Sequence, residues 1–173
     1  MSNCQSKNSE TLKIVGAVCI TERDIVTGEI LGYYEDPNVI LGTGKASILR
    51  AMSIVDTNVH RVRTIKIGND VGTGTILAPQ DPTSELLASD QSVLYEVDPV
   101  NVNTTYPNQN SVRYSATLNG ADVMAAYPAL PNIVYTSVVL YTYDNTGVAY
   151  KRFPGRTISP LISIDISWTI TIV

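Results

Sequence analysis

Ile162-Ser163-Ile164-Asp165-Ile166-Ser167-Trp168-Thr169-Ile170-Thr171-Ile172 is the stretch that decides the fold. Large apolar and small polar residues alternate without a break. Successive side chains of a β-strand point to opposite faces, so a period of two this long defines a strand with one buried and one polar face. A helix would scatter the same isoleucines around its circumference. Ile164, Ile166, Trp168 and Ile170 are therefore expected in the core, each contributing roughly 1.5–3 kcal/mol on full burial. Such a strand must also be held by neighbours, or it would fray.

Outward from that strand, the chain keeps the same character. Residues 133–143 are apolar on both faces, which predicts a central strand. Asp144-Asn145-Thr146-Gly147 then predicts a tight turn into residues 148–153. Over residues 112–118, Val112, Tyr114, Ala116 and Leu118 alternate with Arg113, Ser115 and Thr117, and Asn119-Gly120 reads as a turn. Residues 92–104 are β-prone but interrupted by Pro99. Residues 62–68 read as a strand with Ile65 and Ile67 inward, and a Gly/Thr loop follows. Residues 13–22 and 29–35 form a hairpin about Thr27-Gly28, with Asp36-Pro37-Asn38 breaking the pairing.

One amphipathic helix is expected over about residues 44–56, with Ile48, Leu49, Met52 and Val55 on its apolar stripe and Thr43 as N-cap. The fold expected is mainly β: an antiparallel β-sandwich or partly closed barrel carrying that one helix. Residues 1–12 read as a polar arm docked on a neighbouring subunit. Residues 13–173 read as a single β-rich domain, with the 13–36 hairpin as a possible small subdomain.

The 173 residues are 44% hydrophobic and 16% charged, against about 25% charged in an ordinary globular chain. A surface so poor in charge has little electrostatic defence against association. The net charge of −4 and the pI of about 4.9 point away from nucleic acid, which needs a basic patch. The short basic groups Arg61, Arg63 and Lys66, and Lys151 and Arg152, read as solvated strand faces and turns. Cys4 and Cys19 make no disulfide framework, so a reducing compartment is the default for synthesis. The first residues are too polar for a signal peptide, and no stretch reaches the ~18 apolar residues of a membrane helix.

Little in the sequence points to catalysis. The lone histidine, His60, lies in a polar stretch with no Gly-x-Ser-x-Gly elbow, and reads as an exposed linker residue. Zinc-type Cys/His clusters are not seen. For metal, Asn69 and Asp70 are the candidates, as possible calcium ligands whose plainer reading is a turn. The glycines from Gly68 to Gly74 lack the Lys-Ser/Thr of a phosphate loop. Asp24, Glu35, Asp98 and Asp165 lie near strands, with nothing to favour any two as a glycosidase pair. Tyr135, Tyr141 and Tyr143 share one strand face by parity and are the candidates for a subunit interface. No cofactor is expected.

The segment from Asn38 to Val97 carries a resemblance. It contains Asn38-Val39-Ile40-Leu41-Gly42-Thr43-Gly44-Lys45-Ala46, then the helix, then Ile65-Lys66-Ile67-Gly68-Asn69-Asp70. After a Gly/Thr loop and Pro79 it closes with Asp81-Pro82-Thr83-Ser84-Glu85-Leu86-Leu87. This order resembles tailed-phage virion structural proteins, the tail-collar fibre and tail appendage proteins among them. Ile166-Ser167-Trp168-Thr169-Ile170 is similar to their closing strand. The chain departs from a long fibre in being short and in lacking a repetitive shaft. The resemblance implies a non-enzymatic virion component made in the bacterial host cytoplasm. It implies a homo-oligomer, trimer or ring, of the tail, collar/neck, baseplate or fibre attachment, in contact with other virion proteins and with no membrane. A capsid decoration (cement) protein and a glycan- or peptide-binding β-sandwich module are the alternatives.

Overall fold

A computed structural model describes residues 13–51, 59–69, 92–130 and 132–173. In chain order the elements are β1 (Ile14–Asp24), β2 (Ile30–Ile40), α1 (Gly42–Ala51), β3 (Val62–Asn69), β4 (Ser92–Glu96), β5 (Asn103–Asn108), β6 (Ser111–Asn119), α2 (Gly120–Ala125), β7 (Ile133–Thr142), β8 (Gly147–Ile158) and β9 (Ile162–Ile172). The strands form two antiparallel sheets of a sandwich-like fold. One runs β2-β1-β9-β6-β5, the other β8-β7-β3-β4. Strand β2 belongs to both, because its last residues pair with β8 as Val39 with Tyr150 and Ile40 with Ala149. Before that point β2 is paired with β1 alone among the described residues.

Strand β9 lies in the middle of the first sheet, between β1 and β6. Its even-numbered side chains Ile164, Ile166, Trp168 and Ile170 are buried against Val18 and Ile20 of β1, Ala116 and Leu118 of β6, and Ile65, Ile67, Val138 and Leu140 of the facing sheet. The Trp168 ring is fully enclosed and its indole N–H has no partner. The β1–β2 hairpin is joined to this sheet along the whole length of β1. Its turn uses Gly28 at φ 74°, where a side chain would be strained.

Several expectations are corrected. The hairpin pairing does not break at Asp36-Pro37-Asn38, since β2 continues through them opposite Val18, Ala17 and Gly16. Proline is tolerated there because that part of β2 has a strand neighbour on one side only. Asn119-Gly120 opens α2 and is not a hairpin turn. A Cβ on Gly120 would lie 2.0 Å from the Ser159 carbonyl, so close approach of backbones selects the glycine. The Thr43 side chain does not cap the helix. α1 begins at Gly42, and the Thr43 hydroxyl donates to the Gly147 carbonyl at 2.7 Å.

Leu49, expected in the core, is 60% exposed. Helix α1 buries Gly44 and Ser47 and half-buries Ile48, because it is the small residues that let it lie against β8. A Cβ on Gly44 would meet the Val148 carbonyl oxygen at 2.0 Å. Leu49 is therefore turned off the contact face. Met52 and the expected helix end at residue 56 lie outside the described residues. So do the 1–12 arm, Cys4, Asp70 and the Pro79 to Leu87 motif, as does the side chain of Asn69.

Strand β7 holds a further correction. Tyr135, Tyr141 and Tyr143 do not share a face. A bulge between Tyr135 and Ser137 changes the pairing register with β8, and it exchanges the two faces of the strand. Ile133 and Tyr135 before it, and Val138 and Leu140 after it, all point into the main core. Val139 points the other way, into a second small cluster with Leu41, Tyr150 and Tyr141. Tyr135 is fully buried and is a core residue rather than an interface residue. Tyr143, past the end of β7, is 54% exposed beneath the Arg63 guanidinium.

Candidate functional site

The fold draws several polar side chains inward. Glu22 follows Val18 and Ile20 on the inner face of β1 and enters the space between the sheets. There Arg156 of β8 grips it with two parallel bonds, Nε to Oε1 and Nη2 to Oε2, both 2.8 Å. The Tyr135 hydroxyl donates to the same Oε1 at 2.9 Å. Burial and the adjacent carboxylate push the Tyr135 hydroxyl well above the usual tyrosine range. The pair ties one sheet to the other, with Glu22 Oε1 accepting twice and Oε2 once. It is an architectural clamp, and its strongest donors and acceptors are already committed.

A second bridge lies further along the same seam. Lys151 donates to Asp36 Oδ2 at 2.5 Å, and the Tyr34 hydroxyl donates to that oxygen at 3.0 Å. The Lys151 ammonium holds the Asp36 carboxyl below its ordinary value. Tyr34 and Tyr135 both pack on Phe153, with ring centroids 5.4 Å apart in each case.

Lys66, expected on a solvated face, is nearly covered. Its ammonium donates to Asn145 Oδ1 at 2.6 Å, lies 3.3 Å from Glu96 and sits 4.2 Å above the Tyr141 ring. Tyr141 therefore holds a lysine within its own chain.

His60 is not an exposed linker residue, for its side chain is only 17% exposed. Its Nδ1 lies 3.3 Å from Asp144 Oδ2, close enough for an ion pair but not aligned as a hydrogen bond. It borders a cleft of about 740 Å³ at the α1 end of the sandwich, lined by Ile48, Val62, Tyr106, Tyr114, Val112 and Ile170 among others. Among the described residues no hydroxyl or thiol is placed as a nucleophile on His60.

The four acids near strands do not meet one another. Asp24 accepts from the Val26 and Thr27 amides of its own turn, and Glu35 accepts from Tyr33. Asp98 caps the short 3₁₀ turn at Pro99–Asn101, and Asp165 takes Arg23 and Thr117. Among the described residues no three His, Cys, Asp or Glu side chains gather as metal ligands, and no helix is long and apolar enough to cross a membrane.

Two surfaces remain. The polar face of the first sheet holds a shallow groove of about 480 Å³, lined by Cys19, Thr21, Asn101, Asn103, Thr117 and Asp165 among others. The other surface is apolar and lies at the opposite end from α1, around the β1–β2 turn. Ile25, Val26, Ile30, Leu31 and Leu161 are all exposed there. No sign of it is legible in the sequence, because these residues look like ordinary strand and hairpin positions. Ile25, Val26 and Leu161 lie in turns, and Ile30 and Leu31 lie where the pairing of β1 with β2 shifts register between Glu22 and Arg23. Compared with protein-family models, with curated proteins and with solved structures, the chain finds no match in any of the three.

Proposed function

We propose that this chain is a non-enzymatic structural protein that works as a homo-oligomer, and specifically a component of a phage virion at the tail, collar/neck or fibre attachment. The observation that carries the assembly reading is the group of exposed aliphatic side chains at the β1–β2 end. Contiguous apolar surface of that kind marks an interaction site on a soluble protein. The committed state of the interior charges supports the same reading, since Glu22, Asp36 and Lys66 are spent on joining strands. The assignment to a virion rests on the resemblance of the 38–97 segment and the closing strand. Native mass by light scattering across a dilution series tests the assembly. A stable homo-oligomer is the expected result, a trimer or ring or the two-fold pair that a self-complementary surface closes, and a monomer at every concentration would overturn it.

A glycan-binding module is the second reading, favoured by the groove on the polar face. Its hydroxyls, amides and the Asp165 carboxylate match the donors and acceptors of a sugar, and Tyr33 stands exposed on the same face, paired with Thr21. Glycan-array binding abolished by Tyr33→Ala would establish it, and an array without signal would remove it.

A further inference from the structure

We infer that the occupant of the apolar β1–β2 end is a second copy of this chain, seated on the same surface. The inference rests on the assembly reading above and names its contact. Ile25, Val26, Ile30, Leu31 and Leu161 are 46, 80, 54, 53 and 60% exposed. They belong to one neighbourhood. The Ile25 amide donates to the Leu161 carbonyl at 2.9 Å, Ile30 pairs with Arg23, and the Asp24 amide donates to the Glu29 carbonyl. Tyr33 continues the surface along β2 at 58% exposure. With side chains of these sizes the exposed surface is on the order of 700 Å², close to the ~800 Å² that each partner of a stable pair buries.

Three features make this face its own complement. Its charges are largely consumed locally: Asp24 is turned into its own loop by the Val26 and Thr27 amides and the Thr27 hydroxyl, and Arg23 is held by Asp165 at 3.1 Å. An identical face therefore meets little like-charge repulsion from the Arg23–Asp165 pair, while the exposed carboxylates of Glu29 and Glu35 are the like charges that the two copies keep apart. The turn is also pre-formed, closed by Gly28 donating to Asp24 and by the Glu29 amide donating to Thr27, so docking orders little backbone. Finally, the edge of β2 is not suited to simple extension of the sheet. A bulge interrupts its ladder at Leu31 and Pro37 lacks an N–H, so the copies meet through side chains rather than as added strands.

The test compares the native mass of the full chain with that of Val26→Asp/Leu31→Asp and of Val100→Asp, whose site is 82% exposed in the 3₁₀ turn and is not among the residues of this surface. Circular dichroism melts are run alongside. The expected result is an oligomer for the unaltered chain and for Val100→Asp, and at least a tenfold loss of association for the double variant with its strand signal kept. A double variant with unaltered mass would overturn the surface while leaving the assembly reading in place. An unaltered chain that is monomeric throughout would overturn both. If the double variant fails to fold, Val26→Ser is measured instead, and the same two results decide.

Discussion

Gly32 shows how much a single side chain can be asked to leave out. It lies opposite Glu22 in the β1–β2 ladder, and a Cβ there would come within 2.2 Å of Arg156 Nη2 and 2.4 Å of Glu22 Oε2. The ion pair between the sheets fits because that methyl is missing. Gly32→Ala should therefore force the guanidinium and carboxylate apart and leave two largely covered charges poorly matched, at a cost of about 2–4 kcal/mol. Urea unfolding should show a lower midpoint with an unchanged slope. The tyrosines predict a pH dependence at the same scale. Burial pushes Tyr114 up to about 12 and raises Tyr34 and Tyr135 as well. Their protonated forms are favoured in the folded chain, so stability is complete below the unfolded value of about 10 and declines as pH rises beyond it. Asp36 works in the opposite sense: Lys151 lowers it, so its contribution is present above the ordinary carboxylate value and is lost on further acidification. Melting temperatures recorded from neutral pH to beyond pH 10 should fall at the alkaline end, and a flat profile there would show that these hydroxyls are not buried on folding.

Among the elements, β9 is the one on which the most depends. Its inner face is Ile164, Ile166, Trp168 and Ile170, and Trp168 is fully enclosed by both sheets. Trp168→Asp should prevent folding, and a soluble variant that melts cooperatively would show that the strand faces the other way. As the chain's one tryptophan, Trp168 should also emit at short wavelength in the native state and shift red on unfolding. Gly44→Val should detach α1 from β8, because the added side chain has the Val148 carbonyl in its place, and helix protection in hydrogen exchange should be lost before that of the strands. These elements also show what a sequence makes legible. β6 and β9 were readable because a strict period of two has one structural meaning. The faces of β7 were not, because a bulge at Tyr135–Ser137 reverses the parity and leaves no local mark in a run apolar on both sides. The contact face of α1 is not legible because it is made by Gly44 and Ser47, and a hydrophobic pattern cannot register a helix that docks through small residues.

For the molecule as a whole, the sequence indicated a sandwich-like β fold, while its surfaces depended on pairings distant in the chain. The clamp of Glu22 with Arg156 and Tyr135 joins residues more than a hundred positions apart, and no spacing rule brings them together. The apolar end depends in the same way on β1 meeting both β2 and β9. Electrostatics at this scale is weak, with a net charge of −4 spread over a chain of low charge density. Self-association should accordingly change little between low and high salt, because the contact proposed is apolar. A dissociation constant measured at both ionic strengths checks this, and strong salt dependence would point to a charged contact instead.

The central place of β9 between β1 and β6 has a consequence in time. Strands from the first forty residues can complete their sheet only when residues 162–172 are available, so the ladder of β1 with β9 joins segments nearly the whole chain apart. Contacts of such long range make for slow folding. On a ribosome the β1–β2 hairpin must wait, its Val18 and Ile20 uncovered, until almost the last of these residues has emerged. The cell that makes this protein therefore has to guard a half-built sheet from the emergence of β1 until that of β9, and assembly can begin only after β9 has closed it.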